Sequence, residues 1–190
     1  MYAIDDPKFK LSHGEIKKLE HHDQYTLDEY YEMIKETVND GDILTGFSSG
    51  GIYALLLAEK LEKDEKIVKC ILIDGLLSFK EVLYTREKFY NDALANWRFH
   101  EFDFIVGTNR KGSKFEKFVE ITLLNVNNNF DEPHLNGPIL YLSTGELYSE
   151  DELQKKLNSI SSNNEIHLIE STNHYDILRV DYYKLIPFFD

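Results

Sequence analysis

The chain has 190 residues, enough for one domain with a sizeable core, and 42% of them are apolar, so a globular fold is expected rather than disorder. Its 34 acidic residues against 21 basic ones give a net charge of −13, which argues against nucleic acid and against anionic membrane surfaces as partners. No apolar run reaches membrane-spanning length, the N-terminus carries no signal-peptide pattern, and the single Cys70 excludes an intrachain disulfide, so a reducing, cytoplasmic setting is the expectation.

Tyr2-Ala3-Ile4 is a short apolar run ended by Asp5-Asp6-Pro7, and reads as a strand entering a loop. Residues 8–25 are polar and irregular. His21-His22 has no carboxylate or cysteine at helical ligand spacing, and no Cys/His cluster has zinc spacing, so no metal is expected. Thr26-x-x-Glu29 is a capping box. It predicts a helix to about Asn39 with Leu27, Tyr30, Tyr31, Ile34 and Val38 on one face, stopped by Gly41.

Next comes Ile43-Leu44, then Thr45-Gly46-Phe47-Ser48-Ser49-Gly50-Gly51, then the helical run from Ile52 to about Glu62. Gly-x-Ser-x-Gly between a strand and a helix is the setting of a nucleophile elbow. The turn strains its central residue, and Gly46 and Gly50 let neighbouring backbone pass without a Cβ clash. Ser48 then stands at a helix N-terminus, which favours negative charge developing on an acyl oxygen. Ser49 is the poorer nucleophile, because Phe47 occupies the place of its preceding glycine. A Gly/Ser turn that only joins strand to helix is the bland alternative.

Ile67 to Ile73 is a nearly continuous apolar run closed by Asp74-Gly75, as in a buried parallel strand. The β-α-β-α-β rhythm implies a mainly parallel sheet with helices on both faces. Between Gly75 and Gly137 the rhythm breaks. Ser78-x-x-Glu81 and Ser113-x-x-Glu116 are helix caps among many aromatics, and residues 79–118 carry eight Lys/Arg against six Asp/Glu in an acidic chain. A helical lid inserted at about 78–130, over a binding cleft, is expected, against a helical subdomain that merely packs on the sheet. Pro138 to Ser143 is another buried strand, ending in Thr144-Gly145-Glu146. Residues 150–159 read as helix, Glu165 to Ile169 as a strand ending in Ser171-Thr172-Asn173-His174, and Asp181 to Phe189 as a terminal helix broken by Pro187. No repeat and no second domain is visible.

Ser48, Asp74 and His174 thus fall just past the carboxyl ends of three predicted strands, the ligand-binding edge of an open α/β sheet. A serine hydroxyl needs a base to accept its proton; an imidazole titrates near neutrality and can serve; a buried carboxylate fixes the imidazole tautomer. The order Ser…Asp…His is that of the α/β-hydrolases. By residue pattern alone the acid stays open between Asp74 and Glu146, which follow successive strands.

Four stretches together resemble a known family: Tyr2 to Pro7, Gly46 to Gly51, Ile71-Leu72-Ile73-Asp74, and Asn173-His174-Tyr175-Asp176-Ile177-Leu178. They resemble the α/β-hydrolase thioesterase domains that end nonribosomal peptide and polyketide synthetases, with their free-standing type II relatives. The resemblance spans essentially the whole chain, 1–190, as a single domain. It implies Asp74 as the acid, with Glu146 the alternative, and a helical lid between acid and histidine. It also implies an acyl or peptidyl chain delivered by a carrier protein or synthetase module on its phosphopantetheine arm, with no bound cofactor.

One departure bears on activity. The family begins with further strands, one of which ends in the loop that supplies the second oxyanion-hole donor. If Tyr2-Ala3-Ile4 is the strand before the first helix, the fold is N-terminally shortened. The Ser49 backbone N–H then remains as one donor, with the second expected from residues 5–14 or not at all, and the strand at 2–4 is an edge that invites self-association. The expected function is release of an acyl or peptidyl chain through a Ser-His-Asp triad and an acyl-enzyme. The rivals are a general serine esterase on small esters and a catalytically degenerate interaction module.

Overall fold

Alternate residues of the central strands go to opposite sides of a sheet, and here both sides are apolar. In the computed structural model, which describes residues 25–79, 81, 124–125, 131–170, 173–174 and 176–189, four parallel strands stand in the order β1-β2-β3-β4. They are β1 (Ile43–Phe47), β2 (Lys69–Ile73), β3 (Ile139–Ser143) and β4 (Asn164–Leu168). Cys70 and Leu72 of β2, with Ile139 and Tyr141 of β3, join one core cluster; Ile71, Ile73, Leu140 and Leu142 join a second. A strand buried on both faces must be apolar at most positions, which is why β2 and β3 were legible as nearly continuous hydrophobic runs.

Helices cover both faces. The first cluster is closed by α1 (Leu27–Ile34), α2 (Gly50–Lys63) and α3 (Glu150–Ile160). The second is closed by Ile177 of α4 (Asp176–Arg179) and by Leu185, between two 3₁₀ turns at Tyr182–Lys184 and Ile186–Phe188. Each connection between sheet strands returns the chain to start a parallel neighbour, so all four carboxyl ends lie along one edge. Glu62, near the end of α2, takes the backbone N–H groups of Asn136 and Gly137 at 2.7–3.0 Å and so fixes where the chain re-enters the sheet at β3. Cys70 is fully buried in β2, and burial pushes its thiol up to about 12, which leaves it unreactive at neutral pH.

Besides β2, which starts at Lys69 rather than Ile67, and β4, which lies one residue earlier than expected, two helices differ most from expectation. The capping box at Thr26 and Glu29 forms with both reciprocal bonds, but α1 ends at Ile34 rather than near Asn39. There the Thr37 hydroxyl and N–H both turn back to the Ile34 carbonyl, and Asp42 accepts from the Asn39 N–H, which draws the chain into a turn ending at Gly41 (φ 84°). The terminal helix expected over 181–189 is a pair of 3₁₀ turns, because Pro187 stands inside it and denies it continuous α-helical bonding. The strand expected at 2–4, the loop at 5–14 and, apart from residues 78, 79, 81, 124 and 125, the lid expected at 78–130 lie outside the described residues. Among the described residues, no helix is long and apolar enough to cross a membrane, and no group of three or more His, Cys, Asp and Glu is placed to hold a metal ion.

Candidate active site at the carboxyl edge of the sheet

The end of β1 turns sharply into α2. Ser48 sits at the turn with φ 51°, a left-handed conformation that costs an ordinary side chain about 1–3 kcal/mol. The turn survives because its neighbours hold it. The Ser48 N–H reaches the Ile73 carbonyl at 3.3 Å, and the Ser48 carbonyl accepts from Gly51 N–H at 3.0 Å and Leu76 N–H at 2.8 Å. A Cβ on Gly46 would stand 2.1 Å from the Gly50 carbonyl oxygen, so position 46 must be glycine. The second close approach falls one residue beyond the sequence motif. A Cβ on Gly51 would meet the Gly75 Cα at 2.8 Å. The elbow helix therefore packs backbone to backbone on the loop that carries Asp74, a contact the motif did not announce.

Asp74 also has positive φ, 44°, and is fully buried. A buried carboxylate needs a partner for each lone pair that faces protein. Its Oδ1 accepts from Thr144 N–H at 2.9 Å, and its Oδ2 from the Thr144 hydroxyl at 2.5 Å and from the His174 ring at 2.8 Å. That last bond goes to Nδ1. Because a carboxylate only accepts, Nδ1 carries the proton and Nε2 is the basic nitrogen of the neutral ring. His174, 8% exposed, is stacked on Phe47 with ring centroids 4.6 Å apart and planes at 23°. Phe47 immediately precedes Ser48, so the stack brings the imidazole to the elbow.

Glu146, the alternative acid, meets His174 elsewhere. Its Oε2 accepts the His174 backbone N–H at 2.6 Å, while the ring goes to Asp74. Ser49 is the N-terminal cap residue of α2, with its backbone amide following Ser48. Thr144 and Phe47 are contributors that sequence reasoning missed. A threonine after a buried strand and an aromatic before the elbow serine are both too common to mark a site.

An imidazole held on one side by a buried carboxylate and stacked on the residue before a strained serine is oriented for general acid–base work. The fold itself is shared with solved proteins. The Vlm2 thioesterase domain, solved with genetically encoded 2,3-diaminopropionic acid and a bound dodecadepsipeptide, matches over 86% of this chain and 74% of its own, with TM-score 0.59 and 15% identity. The NocB thioesterase domain from the nocardicin cluster matches over 83% and 68%, with TM-score 0.53 and 16% identity. The chain has the α/β-hydrolase fold of these thioesterase domains. No protein-family model and no curated protein sequence matches the chain.

Proposed function

We propose that the chain is a serine thioesterase that releases an acyl or peptidyl chain from a phosphopantetheinyl carrier protein. The observation that carries this reading is the Asp74–His174 hydrogen bond, set against Phe47 at the foot of the Ser48 elbow. Ser48 Oγ attacks the thioester carbonyl as His174 Nε2 takes its proton. The carbonyl oxygen becomes an oxyanion met by the Ser49 N–H and the N-terminal end of α2. Collapse breaks the carbon–sulfur bond; the pantetheine sulfur leaves with the proton from His174, and the acyl group stays on Ser48. Water, or a nucleophile within the acyl chain, then attacks with His174 again as base. Asp74 stays ionised throughout and stabilises the imidazolium, and the Phe47 face adds an attraction for the charged ring.

The fold likeness favours a thioester substrate, since the Vlm2 and NocB proteins are thioesterase domains, the second captured in a covalent complex with a fluorophosphonate nocardicin G analog. The pantetheine arm arrives with the carrier, so the reading asks for no cofactor of the chain's own. A fluorophosphonate followed by intact-mass analysis tests it. One adduct is expected on the wild type, lost in Ser48→Ala and kept in Ser49→Ala. In parallel, acyl-pantetheine thioesters should turn over faster than short p-nitrophenyl esters. An adduct that survives Ser48→Ala overturns the nucleophile, a preference for small esters favours the general esterase, and no adduct at all favours an interaction module.

A further inference from the structure

We infer that Glu146 is a positioning residue for His174, acting through the histidine backbone and not through its ring. The inference rests on the reading of His174 as the base. The loop after β3 grips both partners of the acid–base pair at once. Thr144 holds the Asp74 carboxylate through its N–H and hydroxyl, and two residues later Glu146 holds the His174 N–H at 2.6 Å. The loop is itself braced: Gly145 turns at φ 80°, its N–H donates to the Ser143 hydroxyl at 3.0 Å, and the Glu146 N–H donates to the Thr144 hydroxyl at 3.4 Å.

The histidine's own segment is tied on both sides of residue 174. Before it, Ile169 N–H donates to the Ser143 carbonyl at 2.7 Å. Across it, the Asn173 side chain bonds Asp176 at its N–H (3.0 Å) and at its carboxylate (2.7 Å), which opens α4. Asp74 and Phe47 meet the ring of His174. The Glu146 carboxylate meets its main chain, with a charge-assisted bond of the short, strong kind. Ring direction is therefore set from the ends of β1 and β2, and backbone position from the end of β3. Catalytic groups must be held to about 0.5 Å, and a 1 Å error can cost about 10²-fold in rate.

If reach of the acceptor is what matters, the variants order in a particular way. Glu146→Gln keeps an oxygen at the same reach and should stay within about threefold of wild-type kcat. Glu146→Ala removes it and should lose about tenfold in kcat with little change in KM. Glu146→Asp keeps the charge but withdraws the acceptor by one methylene, so it should fall with Ala rather than with Gln. The acid limb of the pH–rate profile should stay put in Gln, since the ring partner is Asp74. Amide hydrogen exchange at His174 gives a readout independent of activity: protected in wild type and Gln, faster in Ala and Asp. Should Ala fail to fold, the Asp-against-Gln comparison carries the test. Gln as impaired as Asp, with a shifted acid limb, overturns the inference in favour of a charge effect on the ring. Unchanged exchange and turnover in both Ala and Asp overturns it outright. A wild type that never labels at Ser48 sinks the reading of His174 as base, while the exchange result still decides the Glu146 contact.

Discussion

At the scale of single residues the site is defined by what Asp74 touches. Three donors converge on one buried carboxylate, two of them from Thr144 and one from the imidazole. In the proposed mechanism, Asp74→Asn removes the charge that would stabilise the imidazolium and offers a donor where an acceptor is needed, which disfavours the tautomer with a basic Nε2. Turnover and phosphonate labelling should fall by about 10³–10⁴, with the fold retained. Thr144→Val is the milder case. It removes the 2.5 Å hydroxyl bond but leaves the Thr144 N–H on the other oxygen, so about a tenfold loss is expected. Single-turnover kinetics on both variants would check the ranking, and a Thr144→Val loss as deep as that of Asp74→Asn would contradict it. Glu146 marks how residue type can mislead. An acidic residue after a strand looks alike whether it meets a ring nitrogen or a backbone amide, and only the fold distinguishes the two.

At the scale of elements, the loop from Asp74 to Ser78 is held residue by residue. The Tyr141 hydroxyl donates to the Gly75 carbonyl, Leu76 N–H reaches Ser48, and the Leu77 and Ser78 N–H groups both donate to Glu81 Oε2 at 2.9 and 3.0 Å. Glu81 is fixed in turn by the Tyr148 hydroxyl and by Lys156 of α3, each at 2.7 Å. Burial pushes the Glu81 carboxyl up, but the Lys156, Tyr148 and Leu77 bonds outweigh it and leave it below the ordinary 4.5. A carboxyl lowered by folding stabilises the native state above its unfolded value, and that contribution is lost as the pH falls through the folded value. Glu81→Gln should therefore be less stable than wild type at about pH 7, with the gap in urea midpoint closing below about pH 4. A gap that does not change with pH would mean that Glu81 acts as a neutral acceptor only. The Ser78-x-x-Glu81 cap was legible because capping is local, and the cap bond forms. The partners Tyr148 and Lys156 were not, because they are 67 and 75 residues away in sequence. The same division holds throughout. The elbow turn, the strand at 139–143 and the 69–73 part of the strand expected at 67–73 were legible because sterics and two-sided burial restrict which residues can stand there. β4 is only partly buried and is displaced by one residue from its expected span, and the C-terminal turns follow Pro187 rather than a helical period.

At the scale of the whole molecule, the sheet separates two cores, and the site draws on both. Ser48 leads into α2, whose buried hydrophobic residues belong to the first cluster, together with Leu157 of α3. His174 stacks on Phe47, which belongs to the second cluster, together with Ile177 of α4, three residues beyond the histidine. Ile177 and Leu157 are both fully buried, so truncating either to alanine should cost about 2–5 kcal/mol. Against a total stability of about 5–15 kcal/mol, either variant has room to remain mostly folded at 25 °C. Their effects on the reaction should nevertheless differ. A cavity at Ile177 opens on the segment that carries His174, in the same core cluster as Phe47. A cavity under Leu157 lies against the opposite face, on a helix that supplies no part of the acid–base pair. Ile177→Ala should therefore slow phosphonate labelling of Ser48 several-fold at temperatures well below its melting transition, while Leu157→Ala, at comparable loss of stability, should label at close to the wild-type rate. Thermal melts by circular dichroism, paired with labelling rates at 25 °C, separate the two effects. Equal slowing in both variants would mean that the two faces are not independent and that the site responds to global stability alone.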